Sequence, residues 1–306
     1  MNSTSSPLVK KPRILILGAS GMLGSTLLRY FLEQTHVIAM GSVRTASAPR
    51  IFSPKLQRAI YCNIDAGDAV CLQHVLTVTA PDVVINCIGL IKQLPSAHDP
   101  ISAIKINALL PHQLAQVCTA KNARLIHIST DCVFSGSKGL YRESDTPDAT
   151  DLYGRTKLMG EIDYGNALTL RTSIIGPELH SNSSLLDWFL SQTGSVKGFT
   201  KAVFSGLPTV EMARVIADYV ILKPKLTGLY HVSSQPINKC ALLSLIAQIY
   251  QKDVYIVPDD ELVIDRSLNS DRFYEDTGYR APQWDELITR MYRFGGVTPK
   301  GQNKNV

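Results

Sequence analysis

The sequence predicts an α/β fold in which a doubly wound parallel sheet is followed by a smaller C-terminal lobe. Short apolar runs alternate with helical stretches as far as about residue 176, and a glycine-rich turn follows the first of these runs. Beyond residue 176 the alternation gives way to Gly- and Ser-punctuated segments and further helices, which is typical of chain that packs outside a sheet. We therefore expect two unequal parts in this chain of 306 residues.

The individual elements follow from these patterns in chain order. Apolar β-type runs predict strands over residues 14–17, 36–40, 59–63, 83–88, 124–129 and 168–171. Helices are predicted over residues 22–34, 68–79 and 101–121, around Tyr153, and over 185–192, 210–221 and 239–251. The expected domains are a tail over 1–12, a sheet domain over 13–176 to which some later segments return, a lobe over 177–295 and a tail over 296–306.

Composition and charge argue against several classes of protein. The formal net charge is +5 without long runs of one sign, which does not indicate nucleic-acid binding. No segment approaches the roughly twenty apolar residues of a spanning helix, so no membrane contact is expected. The six cysteines lack metal-ligand spacing, as do the histidines, and no secretory leader is recognisable. We expect a cytoplasmic protein with reduced thiols and no metal site.

The turn Gly18-x-x-Gly21-x-x-Gly24 has the features of a dinucleotide-binding site. Gly18 permits a tight bend, Gly21 lets the backbone approach a pyrophosphate, and Gly24 allows close packing of helix on strand. The anion is expected at the helix N-terminus. The other cofactor-binding candidates at this turn are Ser20, Met22 and Leu23. The predicted sheet is therefore of the Rossmann type, with the glycine spacing found in short-chain dehydrogenases/reductases.

The end of the second predicted strand favours NADPH as the cofactor. An NAD-preferring protein usually places an Asp or Glu here, whereas this chain continues Gly41-Ser42-Val43-Arg44. No carboxylate repels a 2′-phosphate, and both Ser42 and Arg44 can bind one. We expect NADPH to be preferred, with NADH as a second usable cofactor. The alternative is that Arg44 is a solvated loop residue.

The spacing Tyr153-x-x-x-Lys157 predicts a catalytic pair. Residues four apart share a helix face, and a cation beside a phenol favours phenolate. We therefore expect Lys157 to lower the pKa of Tyr153 from about 10 toward the working pH. The segment Ser129-Thr130-Asp131 ends a predicted strand about twenty residues earlier. Together with the dinucleotide turn, these residues predict an NAD(P)H-dependent oxidoreductase.

These motifs resemble the dTDP-4-dehydrorhamnose reductase family of the extended short-chain dehydrogenases/reductases. The resemblance runs from Ile14 to about Tyr292, and its segments are Gly18-Ala-Ser-Gly-Met-Leu-Gly24, Asn107, Ser129-Thr-Asp-Cys-Val-Phe134, Tyr141-x-Glu143, Tyr153-Gly-Arg-Thr-Lys-Leu-Met-Gly-Glu161 and Arg171-Thr-Ser173. It implies a Rossmann domain with a C-terminal substrate-binding lobe. It also implies reduction of the C4 keto group of a nucleotide-linked 4-keto-6-deoxy sugar. Family members are often dimers, so a homodimer is one expected state.

The resemblance implies roles for matching residues. Thr130 would hydrogen-bond the substrate carbonyl, Tyr153 would donate the proton, and Lys157 would bind the nicotinamide ribose. Arg266 would bind the substrate diphosphate, although a structural salt bridge is an alternative for it. The other substrate-binding candidates are Asp131 and Lys92. The remaining cofactor-binding candidates are Asn63 and Ile64 at the adenine, Cys87, Ile88 and Gly89 at the adenosine ribose, and Asn107 behind the active-site backbone.

Two departures from the family pattern leave the substrate open. Cys132 replaces the tyrosine that commonly follows Ser-Thr-Asp, and Gly89-Leu-Ile-Lys92-Gln93 replaces a more polar loop. A UDP-linked 2-acetamido-2,6-dideoxy-hexos-4-ulose, from the synthesis of a cell-surface polysaccharide or O-antigen, therefore stands beside the dTDP sugar. An epimerase or dehydratase of the same superfamily, and a regulatory binding module resembling the methionine adenosyltransferase subunit, are the alternative functions. Trp188 could pack on the sugar, but its apolar neighbours favour a core position.

Overall fold

The centre of the molecule is a parallel sheet of seven strands. The computed structural model describes residues 11–34, 36–92, 98–179 and 184–295. The strands of the sheet are β1 (Arg13–Leu17), β2 (Ile38–Ser42), β3 (Ile60–Tyr61), β4 (Val83–Asn86), β5 (Arg124–Thr130), β6 (Leu168–Thr172) and β11 (Gly228–His231). They lie in the order β3-β2-β1-β4-β5-β6-β11, and every neighbouring pair is parallel. This doubly wound order confirms the predicted Rossmann-type fold.

Both faces of the sheet are covered by helices, which explains why its strands are continuously apolar. The helices of this part are α1 (Met22–Glu33), α2 (Pro54–Gln57), α3 (Ala69–Thr79), α4 (Pro100–Ala103), α5 (Leu110–Ala120) and α6 (Leu152–Met159). Ile14 and Ile16 of β1 pack into one core cluster with α1, whereas Leu15 and Leu17 pack into a second cluster with α3 and α5. The order reverses between β1 and β4, where Leu17 lies beside Asn86, and a ligand crevice is expected at such a switch point.

The remaining chain contributes short strands and further helices. The strands are β7 (Ile174–Ile175), β8 (Ser195–Phe199), β9 (Ala202–Phe204), β10 (Leu207–Pro208), β12 (Ile237–Asn238), β13 (Tyr255–Asp259) and β14 (Ile264–Asp265). The helices are α7 (Leu185–Ser191), α8 (Thr209–Val215), α9 (Lys239–Tyr250), α10 (Asp271–Thr277) and α11 (Trp284–Gly295). Strand β9 lies between β12 and β14, β8 pairs with β13, and β7 pairs with β10. These small sheets were not predicted, since their strands are short or partly exposed.

Several predicted boundaries differ from the structure. The second strand begins at Ile38 rather than at residue 36, and the third is only two residues long. Asn63, expected at the end of the third strand, has a left-handed φ of 58° and lies in the following loop. The predicted helix over 101–121 is a continuous run whose centre, Ile104–Leu109, is π-helical. The predicted helix over 210–221 likewise changes to π-helix over Ile216–Ile221.

Candidate active site

The glycine turn connects β1 to α1, and two of its three glycines, Gly18 and Gly24, cannot be replaced without a clash or strain. Gly18 has a φ of +79°, a conformation that favours glycine. A Cβ at Gly24 would lie 2.2 Å from the Gly18 carbonyl oxygen, so α1 can approach the turn only because this residue is glycine. A Cβ at Gly21 would lie 3.4 Å from the same oxygen, an ordinary contact. Gly21, Met22 and Leu23 line a cavity of about 510 Å³, which we call the inner cavity. Ser20 is half-buried within the turn.

The candidates for the adenosine half of the cofactor lie along the ends of β2 and β3. Arg44 is exposed in the loop after β2, whereas Ser42 is only 2 % exposed within that strand. A buried Ser42 hydroxyl leaves Arg44 as the accessible candidate for a 2′-phosphate. Asn63 and Ile64 line a groove of about 430 Å³ beside α3. The amide of Ile64 donates to the carbonyl oxygen of Val43 at 3.1 Å, which ties this loop to the end of β2.

The inner cavity continues along the end of β4, where Cys87, Ile88 and Gly89 line it. Asn107, in the π-helical segment, holds the loop after them. Its Oδ1 accepts a hydrogen bond from the amide of Leu90 at 2.8 Å, and its Nδ2 donates to the Leu90 carbonyl oxygen at 3.1 Å. The same Nδ2 lies 3.3 Å from the hydroxyl of Thr156 in α6. Asn107 therefore fixes this loop relative to the helix that carries Tyr153.

Thr130, Tyr153 and Lys157 meet on the wall of the inner cavity. Helix α6 begins after Asp151, whose Oδ1 accepts the amide of Gly154 at 2.8 Å and so caps the helix just before Tyr153 faces the cavity. The Thr130 Oγ accepts from the amide of Cys132 and donates to Asp131 Oδ1, both at 3.1 Å. Thr130 is therefore both the cap of the turn after β5 and a cavity residue.

The expected lowering of the Tyr153 pKa by Lys157 is contradicted. Burial raises the pKa of Tyr153 above its ordinary 10, electrostatic interactions with Cys132, Asp131 and Asp151 raise it further, and a hydrogen bond with Thr130 opposes the shift. The Lys157 ammonium instead donates to the Ile128 carbonyl oxygen at 2.8 Å. Burial lowers the pKa of Lys157 to about 8. The phenol is therefore protonated at neutral pH, which is the state that a proton donor requires.

Lys92 lies over the ring of Tyr153. Its Nζ is 5.5 Å from the centre of the phenol ring and 2.8 Å from Asp151 Oδ2. The contact with Asp151 joins the loop after β4 to the first turn of α6. Gln93, the next residue of the loop Gly89-Leu-Ile-Lys92-Gln93, lies outside the described residues.

A second cavity of about 410 Å³, which we call the outer cavity, opens toward the C-terminal part of the chain. Arg266 lines it, with its Nε donating to the Phe134 carbonyl oxygen at 2.7 Å and Nη1 lying 3.9 Å from Cys132 Sγ. Both of these acceptors are uncharged. No ion pair joins Arg266 to any other residue in the described ranges, so Arg266 does not form the structural salt bridge that was the alternative to diphosphate binding. The two cavities share the residues Asp131, Cys132, Ser173, Leu185, Phe204 and Lys239.

Sequence reasoning missed Lys239 and misplaced Trp188. Lys239 is the first residue of α9, and its Nζ lies 4.2 Å from the centre of the Phe204 ring. No motif marked it, since a lysine at the start of an amphipathic helix is common. Trp188 is 38 % exposed and lines the outer cavity rather than the core, because α7 turns this face away from its buried Leu186 and Phe189.

Buried polar contacts hold the end of β5 in place. The hydroxyl of Ser129 donates to Glu161 Oε1 at 2.6 Å, and Arg171 binds both oxygens of the same carboxylate at 2.8 and 2.7 Å. Arg171 is in turn 3.2 Å from His231 Nε2 on β11. These residues join β5, β6, β11 and the segment just after α6 next to Thr130. Ser129 also lines the inner cavity, whereas Glu161, Arg171 and His231 support it from outside the lining.

The family model described as the RmlD substrate binding domain matches residues 12–252. This chain belongs to that family. Membership confirms the resemblance found in the sequence and, with it, an oxidoreductase of the short-chain dehydrogenase/reductase type. In the described ranges, no helix is long and apolar enough to cross a membrane, and no three His, Cys, Asp or Glu side chains cluster as metal ligands do.

Relatives of this RmlD-family chain include a reductase and a subunit of methionine adenosyltransferase 2. The probable low-salt glycan biosynthesis reductase Agl14 of Haloferax volcanii is 30 % identical over 231 residues, which cover 72 % of this chain and 74 % of the relative. The methionine adenosyltransferase 2 subunit beta of Bos taurus is 26 % identical over 260 residues, which cover 78 % and 72 %.

Solved structures share the fold across nearly the whole chain. The dTDP-4-dehydrorhamnose reductase of Bacillus anthracis, in complex with NADP, has a TM-score of 0.75 and 20 % identity, covering 93 % of this chain and 99 % of its own. The Bordetella bronchiseptica enzyme WbmG, in complex with NAD and UDP, has a TM-score of 0.75 and 19 % identity, covering 94 % and 95 %. At these identities the likeness concerns the fold alone.

Proposed function

We propose that this protein is an NADPH-dependent reductase of the C4 keto group of a nucleotide-linked 4-keto-6-deoxyhexose. The observation that carries the proposal is the inner cavity, which has the glycine turn on one wall and Thr130, Tyr153 and Lys157 on another. Its continuity with the basic outer cavity supports a substrate much larger than a free sugar. In this proposal residues 13–176 bind the cofactor, and residues 177–295 bind the sugar nucleotide.

The chain's own residues suit the proton half of such a reduction. A bound NADPH supplies the hydride to the carbonyl carbon. Tyr153 donates its phenolic proton to the carbonyl oxygen, and its raised pKa keeps that proton in place at neutral pH. The Thr130 hydroxyl hydrogen-bonds the same oxygen as negative charge develops on it. Lys157 binds the nicotinamide ribose, and Asn107 keeps the neighbouring loop in place.

NADPH is the cofactor that the surroundings of Arg44 favour. An exposed guanidinium in the loop after β2 can form charge-assisted hydrogen bonds with a 2′-phosphate. Asn63 and Ile64 border the groove that we assign to the adenine. NADH remains a second usable cofactor, since nothing in that loop repels a ribose that lacks the phosphate.

Two nucleotide sugars fit the proposal, dTDP-4-dehydrorhamnose and a UDP-2-acetamido-2,6-dideoxy-hexos-4-ulose. The apolar Ile91 and the thiol of Cys132 line the inner cavity near Tyr153, and such a lining accommodates the methyl of an acetamido group. The product would enter the synthesis of a cell-surface polysaccharide such as an O-antigen, in the cytoplasm. Asp131 and Lys92 lie where they can bind sugar hydroxyls.

The test is optical measurement of NADPH and NADH oxidation by the purified protein with each enzymatically generated 4-keto sugar nucleotide. We expect stoichiometric NADPH consumption with one of the two substrates. Tyr153→Phe should lose at least a hundredfold in kcat, since it removes the proton donor. Tyr255→Phe is the matched control, because Tyr255 is 71 % exposed on β13 and lines neither cavity. Turnover that survives Tyr153→Phe would refute the proposed mechanism.

A regulatory binding module is the second candidate, and the relationship to the methionine adenosyltransferase subunit supports it. Such a module would bind NADPH tightly and consume none with either sugar nucleotide. An epimerase would convert sugar without net NADPH loss. Product analysis by chromatography beside the optical assay separates the three functions.

A further inference from the structure

Lys239 is a cation without a matching carboxylate at the point where the two cavities meet. It lines both of them, and its Nζ lies over the ring of Phe204 at 4.2 Å. Among the described residues it makes neither an ion pair nor a hydrogen bond, although its side chain is half-buried. A partly desolvated ammonium that faces an open cavity is suited to an anionic ligand.

The other cations of the outer cavity show which charges are available. Lys197 is paired with Asp259 at 2.7 Å and with Glu261 at 3.3 Å, so its charge is already matched. Within the described part of the chain, Arg266 bonds to the carbonyl of Phe134 and the sulfur of Cys132, which leaves part of its guanidinium fork unused by those residues.

Asp131 is the carboxylate that lines this cavity, and its hydrogen-bond partner is the Thr130 hydroxyl rather than a cation. Burial raises the pKa of Asp131, so its negative charge is disfavoured there. Lys239 and Arg266 therefore offer two positive charges, and the diphosphate of a nucleotide sugar carries two negative ones.

We infer that Lys239, together with Arg266, binds the diphosphate of the nucleotide sugar at the junction of the two cavities. The inference rests on the proposed function. If the reacting sugar lies beside Tyr153 in the inner cavity and the nucleoside lies in the outer cavity, the diphosphate between them has to cross the junction. Among the described residues, both linings share Asp131, Cys132, Ser173, Leu185, Phe204 and Lys239, and Lys239 is the cation in this set. Lys239 is thus a binding residue that orients the sugar toward Tyr153.

The test is calorimetric titration of UDP, dTDP, uridine and thymidine into the full-length protein saturated with NADP⁺. We expect Lys239→Met to weaken diphosphate binding about tenfold or more, because it removes one charge-assisted contact. Lys239→Arg should restore most of the affinity. Lys201→Met is the matched control, since Lys201 is exposed and paired with Asp260 at 3.0 Å. Unchanged NADP⁺ affinity in Lys239→Met shows that the variant is folded.

The outcomes separate this inference from the proposed function. Equal diphosphate affinity in wild type and Lys239→Met would overturn the role of Lys239 and leave the reductase proposal intact. Loss in Lys239→Met without recovery in Lys239→Arg would refute a charge-based role. If the wild-type protein binds neither diphosphate and reduces neither sugar nucleotide, both proposals fail together.

A proton-uptake measurement distinguishes binding by Lys239 from a packing effect. Burial lowers the pKa of Lys239 to about 8, while Asp131 and Cys132 oppose this shift, and Lys197 and Arg266 are the other charges on the same cavity. A bound diphosphate stabilises the ammonium, so titrations at pH 8 should show proton uptake in buffers of different ionisation enthalpy. The uptake should vanish in Lys239→Met and persist in Lys201→Met. Equal uptake in both variants would overturn the assignment.

Discussion

The ammonium of Lys157 donates a hydrogen bond to the backbone carbonyl oxygen of Ile128 at 2.8 Å. This contact joins the last turn of α6 to β5 two residues before Thr130, which brings the segments that carry Tyr153 and Thr130 together. It also supplies an acceptor to an ammonium that is only 4 % exposed. Because burial lowers its pKa to about 8, with Glu161 opposing, the charge of Lys157 can be lost within the working pH range.

We predict that Lys157→Met lowers kcat by about a hundredfold or more, since in the proposed mechanism it removes the group that binds the nicotinamide ribose beside Tyr153. In the wild type, kcat at saturating substrate should fall as the pH rises above about 8, because the ammonium then loses its proton. Steady-state assays from pH 6 to 10 check both statements. If kcat of Lys157→Met falls above about pH 8 as it does in the wild type, another group causes that fall. Lys201→Met is the control.

Arg44 should decide between the two cofactors. We predict that Arg44→Ala raises the KM for NADPH about tenfold and leaves the KM for NADH unchanged, because NADH has no 2′-phosphate for Arg44 to bind. Arg58→Ala serves as the control, since Arg58 is also exposed but follows the short helix α2. The ratio of the two KM values is the readout. Equal increases for both cofactors would mean that Arg44 does not bind the phosphate.

Gly21 and Gly24 should respond differently to substitution by alanine. Gly24→Ala places a Cβ 2.2 Å from a backbone oxygen, so we predict that it destabilises the protein and abolishes NADPH binding. Gly21→Ala makes a 3.4 Å contact with the Gly18 carbonyl oxygen, which is ordinary, but its methyl would lie on the turn that we propose approaches the pyrophosphate. We expect it to retain the melting temperature and weaken NADPH. Thermal unfolding with and without NADPH measures both effects, and equal behaviour of the two variants would contradict the prediction.

The parts of this molecule that obey short-range patterns could be predicted from sequence. The alternation of β1 with α1 and the glycine turn are local, so they predicted the parallel sheet and the position of the turn between β1 and α1. The order of the strands follows from the same repeated unit.

The junction of the cavities was not predictable in this way. Lys239 and Cys132 are more than one hundred residues apart, and only tertiary packing brings them to the same wall. The pKa of Tyr153 was predicted with the wrong sign, because helical spacing shows which side chains share a face but not how deeply they are buried. The direction in which Trp188 points depends in the same way on which face of α7 packs against the core.

Glu211 should make the stability of the protein sensitive to acid. Its carboxylate, 1 % exposed on α8, lies 2.7 Å from both Arg214 and Arg290 and accepts the Tyr279 hydroxyl at 3.0 Å. Burial alone would raise the pKa of Glu211, but Arg214 and Arg290 hold it below its ordinary 4.5. A carboxyl with a depressed native pKa contributes stability above its unfolded pKa, and that contribution is lost as the pH falls through the native value.

We predict that Glu211→Gln lowers the free energy of unfolding at pH 7 by about 2 to 3 kcal/mol, less than for a fully buried pair because both arginines reach water. Glu33→Gln, in an exposed pair with Arg29, should cost well under about 1 kcal/mol. Urea unfolding at pH 7 and at pH 4 provides the comparison. The wild type should lose more stability between these pH values than Glu211→Gln does, since the variant has no proton to take up at this position. If the wild type and Glu211→Gln lose the same stability between pH 7 and pH 4, acid unfolding begins elsewhere. The contact between α8 and α11 would then be stabilised by its apolar residues rather than by this carboxylate.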